Sequence, residues 1–468
     1  MKTICIIGAG PSGLFCAHKI LSKYNELGIK KNFRIIILEN GEKSSVRQCP
    51  GTIDGICRKC SRCSIFSGGG GAGLFSDGKL IQDLNVGGHN STVISLSEKE
   101  KEEYISYITN TLVGYDGVSK YKEKPEEDIQ QSYSQQFAAV DLQVKYYSVL
   151  HMGSENLSHI LDGFIGDLAN SASVEIQYNV TVTNIVRLQN RYHLYKGESF
   201  ICSADYVVMA VGKSGASWLK DVLKPLGVGF QKNGFYFGLR VEMPQKYLNP
   251  LAKLSFDPKI YRELKDGRKI KMHCFCRKGR VIMTQYEGYV VAGGHSPYTE
   301  NNQPFNEEQY GNFNVLLSYP KTYNFNEMLE RFKTVSEHSL LVQTLDDFRS
   351  GRIPEPGENS DYDRIIQMSA GNIRKTIQDE VFSHELLAFI DSLNQVFPGV
   401  AKGSNMLYGP SVEWCMDTVD VSENMETSLL NLFAVGDGAG LSQGIVYSAS
   451  TGMIAAECIV ERMIQNET

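Results

Sequence analysis

The first forty residues constrain the chain most. An apolar run, Thr3-Ile4-Cys5-Ile6-Ile7, leads into Gly8-Ala9-Gly10-Pro11-Ser12-Gly13. A helical pattern follows, with Leu14, Ala17, Ile20 and Leu21 on one face. A second apolar run, Phe33 to Leu38, ends in Glu39. Strand, glycine turn, helix, strand and acid, in that order, predict a β-α-β unit that holds a dinucleotide. Gly8 allows the tight turn, Gly10 lets backbone reach a pyrophosphate, and Gly13 lets the helix pack on the strand. Pro11 and Ser12 complete the turn at the helix N-terminus, whose positive dipole end faces the phosphates. Glu39 can accept hydrogen bonds from ribose hydroxyls and would repel a 2′-phosphate.

Three later segments narrow the nucleotide. Val174 to Ile185 has the pattern of a strand returning to the same sheet, with backbone near Val182 available to read adenine. Ala204 to Gly212 (ADYVVMAVG) is an apolar strand ending in a glycine turn. Leu432 to Gly452 (LFAVGDGAGLSQGIVYSASTG) closes the unit. There Gly436 and Asp437 suit a ribityl chain. The amides of Gly444 and Ile445 open the last helix toward a flavin ring, where a positive helix end favours the anionic reduced form. Four segments in this order predict FAD.

Between them lies CPGTIDGICRKCSRCSIFSGGGGAGLFSDGKL, Cys49 to Leu80. Cys49, Cys57, Cys60 and Cys63 have three readings: a zinc or iron–sulfur site, a redox dithiol beside the flavin, or packing thiols. The glycines up to Gly71 allow backbone to approach the cofactor, with Ser76, Asp77 and Lys79 beside cofactor or substrate. His151 and His295 are candidate general acids or bases. Tyr447 can cover the ring or serve packing, and Lys79 joins these three as a catalytic candidate.

The segments GGAGLFSDGKL (70–80), HMGSENL (151–157), FYFGLRVEMP (235–244), HCFCRKGRVI (273–282), GGHS (293–296), QTLDDF (343–348) and the C-terminal GDGAG block carry a resemblance. The chain resembles the bacterial FAD-dependent dehydrogenases of the glutathione-reductase-like, two-dinucleotide-binding flavoprotein superfamily. The resemblance spans nearly all of the chain and implies fold and cofactor. In that family a Trp usually precedes GGAG; here the loop reads Ser67-Gly68-Gly69-Gly70-Gly71.

The expected architecture is α/β: a Rossmann-like, three-layer ββα FAD domain (1–90, 145–240, 400–468). Residues 91–144 read as a helical, polar insertion, and 241–399 as a β-rich substrate or cap domain. Net charge is −6, so no basic footprint argues for nucleic acid. No eighteen-residue apolar run is present, and the N-terminus reads as a strand and not as a signal. Eleven cysteines fit the cytoplasm better than a disulfide framework. No second GxGxxG at a strand end marks a separate NAD(P)H domain. The motifs predict an FAD-dependent oxidoreductase, a dehydrogenase or reductase, working on a small molecule with an external electron donor or acceptor. A flavin monooxygenase and a thiol-reporting redox sensor or scaffold are the alternatives.

Overall fold

Nearly continuous apolar runs bury both faces of a sheet, and parallel strands require that. Accordingly five parallel strands form the first sheet, in the order Leu432–Ala434, Tyr206–Met209, Lys2–Ile7, Phe33–Leu38, Val174–Gln177. The computed structural model describes residues 1–50, 57–75, 78–88, 90–115, 120–286, 288–295, 310–336, 339–353, 368–413 and 416–465. Helix Pro11–Leu27 packs along helix Ile445–Gln465. A three-stranded antiparallel sheet, Asn184–Leu188, Arg191–Lys196 and Ser199–Ala204, leans on Lys2–Ile7 and Tyr206–Met209. The result is a three-layer ββα unit.

The single strand expected over 174–185 is two strands in two sheets. Asn179 takes a φ of +59°. The amides of Asn179 and Val180 then bond the carbonyls of Gly41 and Glu39, folding the chain back over the end of Phe33–Leu38. Asn tolerates this left-handed conformation better than most residues.

The second sheet has eight strands: Met368–Ala370, Leu340–Thr344, Met406–Glu413, Phe235–Pro244, Tyr310–Tyr319, Lys269–Cys276, Lys259–Glu263 and Gln143–Lys145. It therefore reaches beyond 241–399 on both sides. Side chains alternate across a strand with period two. Phe237, Leu239, Val241, Ile270, Met272, Phe313, Val315 and Leu317 share one buried apolar cluster with Leu248, Phe332 and Phe389 from the covering helices. The intervening positions, among them Tyr236, Arg240, Lys271, His273 and Asn314, turn to the opposite face. That face looks toward the first unit.

In the 91–144 segment, Ser97 and Glu100 cap helix Glu98–Val113 reciprocally, as S-x-x-E predicts. Helix Glu127–Ala138, within the segment read as a polar insertion, anchors itself by burying Phe137 in the second core. Among the described residues no helix is long and apolar enough to cross a membrane.

Candidate functional site

Two glycine turns meet. Gly8 has a φ of +112°, and a Cβ there would lie 2.4 Å from the carbonyl oxygen of Ala210. A Cβ on Gly13 would lie 2.1 Å from the oxygen of Gly8, so helix and strand touch through glycine. Gly10 differs: its Cβ direction is open except for the Cα of Gly71 at 3.7 Å. The second turn docks on the first, with the amide of Gly70 donating to the carbonyl of Ala9 at 2.8 Å. Arg47, buried, holds that turn in shape. It donates to the carbonyls of Gly69 (2.7 Å), Gly71 (2.8 Å), Ser64 (2.7 Å) and Ile65 (3.1 Å).

Glu39 is buried at the end of its strand. Its two oxygens accept from the amides of Ala9 and Gly41, both at 2.8 Å, which fixes the carboxylate beside the first turn. On the other side, Gly436 has a φ of +78°, and its amide donates to Thr451 at 3.0 Å. Asp437 follows, held by Ser442 at 2.8 Å. Burial pushes its carboxyl up to about 6, against the pull of Lys213 and Ser442. Gly444 and Ile445 open helix Ile445–Gln465 at the same wall.

One cavity of about 1560 Å³ runs from these turns to the polar face of the second sheet. A single small-molecule pocket is roughly 300–1,000 Å³, so this one has room for a dinucleotide and a second ligand. Charged side chains pair along its floor. Lys271 bonds Glu413 at 2.9 Å and lies 3.8 Å over the Tyr236 ring. Lys259 bonds Asp257 at 2.7 Å and donates to Nδ1 of His273 at 3.0 Å. That donation leaves the proton of neutral His273 on Nε2, 3.6 Å from Glu413. Burial, then the cations Lys259 and Lys271, hold His273 well below the usual imidazole range. Burial also lowers Lys271, although Glu413 opposes this. Tyr147 donates to Asp257, and Lys79 donates to the carbonyl of Phe275.

Of the residues singled out in the sequence, Gly8, Gly10, Pro11, Ser12, Glu39, Gly71, Lys79, Val182, Gly212, Asp437, Gly444 and Ile445 line this cavity. Gly13 and Gly436 stand behind them as packing positions. Tyr447 is not in the lining. Its hydroxyl accepts from the amide of Asn90 at 3.1 Å, and its ring fills the space left by Gly88. His151 also stands outside the lining, stacked on Phe256 at 5.0 Å. His295 ends strand Tyr289–His295 opposite Arg280. Its side chain, and Ser76 and Asp77, lie outside the described residues.

Cys60 and Cys63 reach the cavity wall, with Cys60 exposed and Cys49, Cys57 and Cys63 half-buried. Burial pushes the Cys63 thiol up, and the neighbouring Cys49 and Cys57 add to this. Among the described residues no three His, Cys, Asp or Glu side chains form a group able to hold a metal ion.

Sequence reading missed Arg47, Arg240, Lys271 and Glu413. For Arg240 a signal exists: it is the one basic residue in the apolar strand FYFGLRVEMP. Arg47 has none, because its partners are carbonyls placed by the fold.

No protein-family model matches the chain. It is 22% identical to an uncharacterised protein of Clostridium beijerinckii over 98% of this chain and 80% of that one. Solved structures similar to it include glycine oxidase from Geobacillus kaustophilus, at 13% identity and a TM-score of 0.38 over 99% of this chain and 95% of that one. Another is 2,6-dihydroxypyridine-3-hydroxylase from Arthrobacter nicotinovorans, at 10% identity and 0.41 over 99% and 84%. A third is CtdE in complex with FAD and a substrate, at 12% identity and 0.40 over 98% and 80%.

Proposed function

We propose that the chain is an FAD-dependent oxidoreductase of the dehydrogenase or reductase type, working on a small organic molecule. The observation that carries this is the continuous cavity from the paired glycine turns to the polar sheet face. The residues present fit FAD. The turn from Gly8 to Gly13, with Gly71, holds the pyrophosphate, and Glu39 takes the ribose. Backbone at Val182 meets adenine, Asp437 takes the ribityl chain, and the amides at Gly444 and Ile445 meet the ring. Bound FAD supplies hydride exchange, which no side chain can perform. The protein's part is orientation and proton handling. Burial lowers Lys271 and His273 alike, and both line the cavity floor where a second ligand has room. Ten free cysteines among the described residues, none in a disulfide, support a reducing compartment such as the cytoplasm.

The test begins with purified protein, which is expected to be yellow and to release one FAD per chain on denaturation. Anaerobic screening of small metabolites then looks for bleaching of the flavin band with matching product. A colourless, folded chain that takes up no FAD overturns the reading. Substrate-dependent incorporation of labelled dioxygen makes it a monooxygenase instead. Flavin that responds only to thiol state, without turnover, makes it a sensor.

A further inference from the structure

Arg240 stands on the cavity face of strand Phe235–Pro244 and is 2% exposed. Its partners are all neutral: Asn312 Oδ1 at 2.5 Å, Asn314 Oδ1 at 3.3 Å, the Cys274 carbonyl at 2.9 Å and Cys276 Sγ at 3.5 Å. Among the described residues no carboxylate lies within ion-pair distance of it, whereas nearby Lys271 and Lys259 each have one. Buried charges are normally paired, because an unpaired one forfeits its hydration without return. The guanidinium is seated deliberately: a Cβ on Gly294 would lie 1.8 Å from its Nη2.

The donors around it have a definite shape. Arginine only donates, so Asn314 turns its oxygen to Arg240, and Ser411 donates to that same oxygen at 2.9 Å. Among the described residues the Asn314 amide NH₂ then has no hydrogen-bond partner, and Asn314 lines the cavity. Among the described residues one N–H of Arg240 Nη1, whose other N–H meets Asn314, is likewise left over. Two adjacent N–H donors with one unmatched positive charge suit the two oxygens of a carboxylate. The wider field agrees. Eight basic and four acidic side chains line the cavity, although the whole chain is at −6. A dinucleotide pyrophosphate accounts for two of the surplus charges.

We propose that the second ligand of the cavity is a small organic carboxylate, neutralised by Arg240 and bonded by Asn314. This rests on reading the cavity as a cofactor-plus-substrate site. The test uses the flavin-loaded protein, with flavin content measured first, and titrates acetate, benzoate, benzamide and inorganic phosphate by calorimetry and flavin absorbance. A carboxylate is expected to bind saturably, and benzoate about tenfold or more tighter than benzamide. Arg240→Gln is expected to lose about tenfold to hundredfold in carboxylate affinity while keeping its FAD. Asn314→Asp, which supplies an internal counter-ion, is expected to lose carboxylate binding and to melt at higher temperature; it covers the case in which Arg240→Gln does not fold. Absence of saturable carboxylate binding, benzamide binding as well as benzoate, or full affinity in Asn314→Asp overturns the proposal. So does phosphate binding more tightly than any carboxylate. A protein without flavin refutes the functional reading; a yellow protein that ignores carboxylates refutes this proposal alone.

Discussion

The amide of Gly70 donates to the carbonyl of Ala9 at 2.8 Å, so the glycine run after the cysteines is the partner of the nucleotide turn. Glycine recurs there because two backbones approach each other: a Cβ on Gly71 would lie 3.0 Å from the Cα of Gly10.

Gly10 and Gly8 are expected to fail differently. Gly10 is in extended backbone at φ −85°, and a Cβ there meets only the Cα of Gly71 at an ordinary contact distance of 3.7 Å, so Gly10→Val is expected to fold and to lose FAD. Gly8→Ala meets both a positive φ and the Ala210 oxygen, and destabilises the fold itself by about 1–3 kcal/mol or more. Thermal melts beside flavin content separate the two. Full FAD occupancy in folded Gly10→Val would remove the turn from the cofactor site.

Arg47→Met withdraws donors from four carbonyls at once. A loss of about 2–4 kcal/mol of stability is expected, with faster flavin release. Arg47→Lys is not expected to rescue it, because an ammonium cannot span the same fork of acceptors. Denaturant unfolding of both variants decides this, and wild-type stability in Arg47→Lys would count against it.

Asp437 gives a pH signature. Its folded carboxyl is raised to about 6 from an ordinary 3.8, so the flavin-free folded chain keeps a proton that the unfolded chain releases. This group's stabilisation is full at the acid end and is lost as pH rises through about 6. Flavin-free Asp437→Asn should lack that fall and be more stable at neutral pH by on the order of 2 kcal/mol. The same variant should bind FAD about 1–3 kcal/mol more weakly. Melts of both proteins across this range check the first expectation, and flavin titration the second; parallel pH curves would refute the assignment.

Removing Glu413 strands Lys271 in a buried site. Glu413→Leu is expected to lose about 3 kcal/mol, and the double variant with Lys271→Met to recover most of it. A double variant no better than the single would show that the pair does not act as a unit.

For the cysteines, labelling should reach exposed Cys60 before Cys63, whose thiol is pushed up by burial. Anaerobically prepared protein is expected to carry no stoichiometric zinc or iron and to accept only the two electrons of FAD. Iron with sulfide, or two further electrons, would reverse that expectation.

The nucleotide unit was legible because its signals are local. Gly8, Gly10, Gly13 and Glu39 act through spacing along one strand–turn–helix–strand run, and Ser97 and Glu100 cap within one turn. The cavity floor was not legible, because Lys271 meets Glu413 across 142 residues and Lys79 meets Phe275 across 196. No window of sequence contains both partners. The two readings of Tyr447, ring cover or packing, stayed open in the sequence for a related reason: its motif does not reveal that Gly88 makes room for its ring. The boundaries of the second unit were hidden because Phe235–Pro244 and Met406–Glu413 are apolar strands that either sheet could have accepted.

The chain runs into the eight-stranded sheet through Phe235–Pro244 and out through Met406–Glu413, which pair side by side. Alone, that pair would act as one hinge. Strand Gln143–Lys145 adds a second tether at the far edge, beside Lys259–Glu263. Four strand spacings separate the two anchor points, about 19 Å. A plate fixed along two separated lines cannot swing open like a book. Hydrogen exchange should find the pairings at Tyr236–Glu413 and Ile260–Val144 protected together. Traffic to the cavity then passes through its mouth and not between two parting sheets.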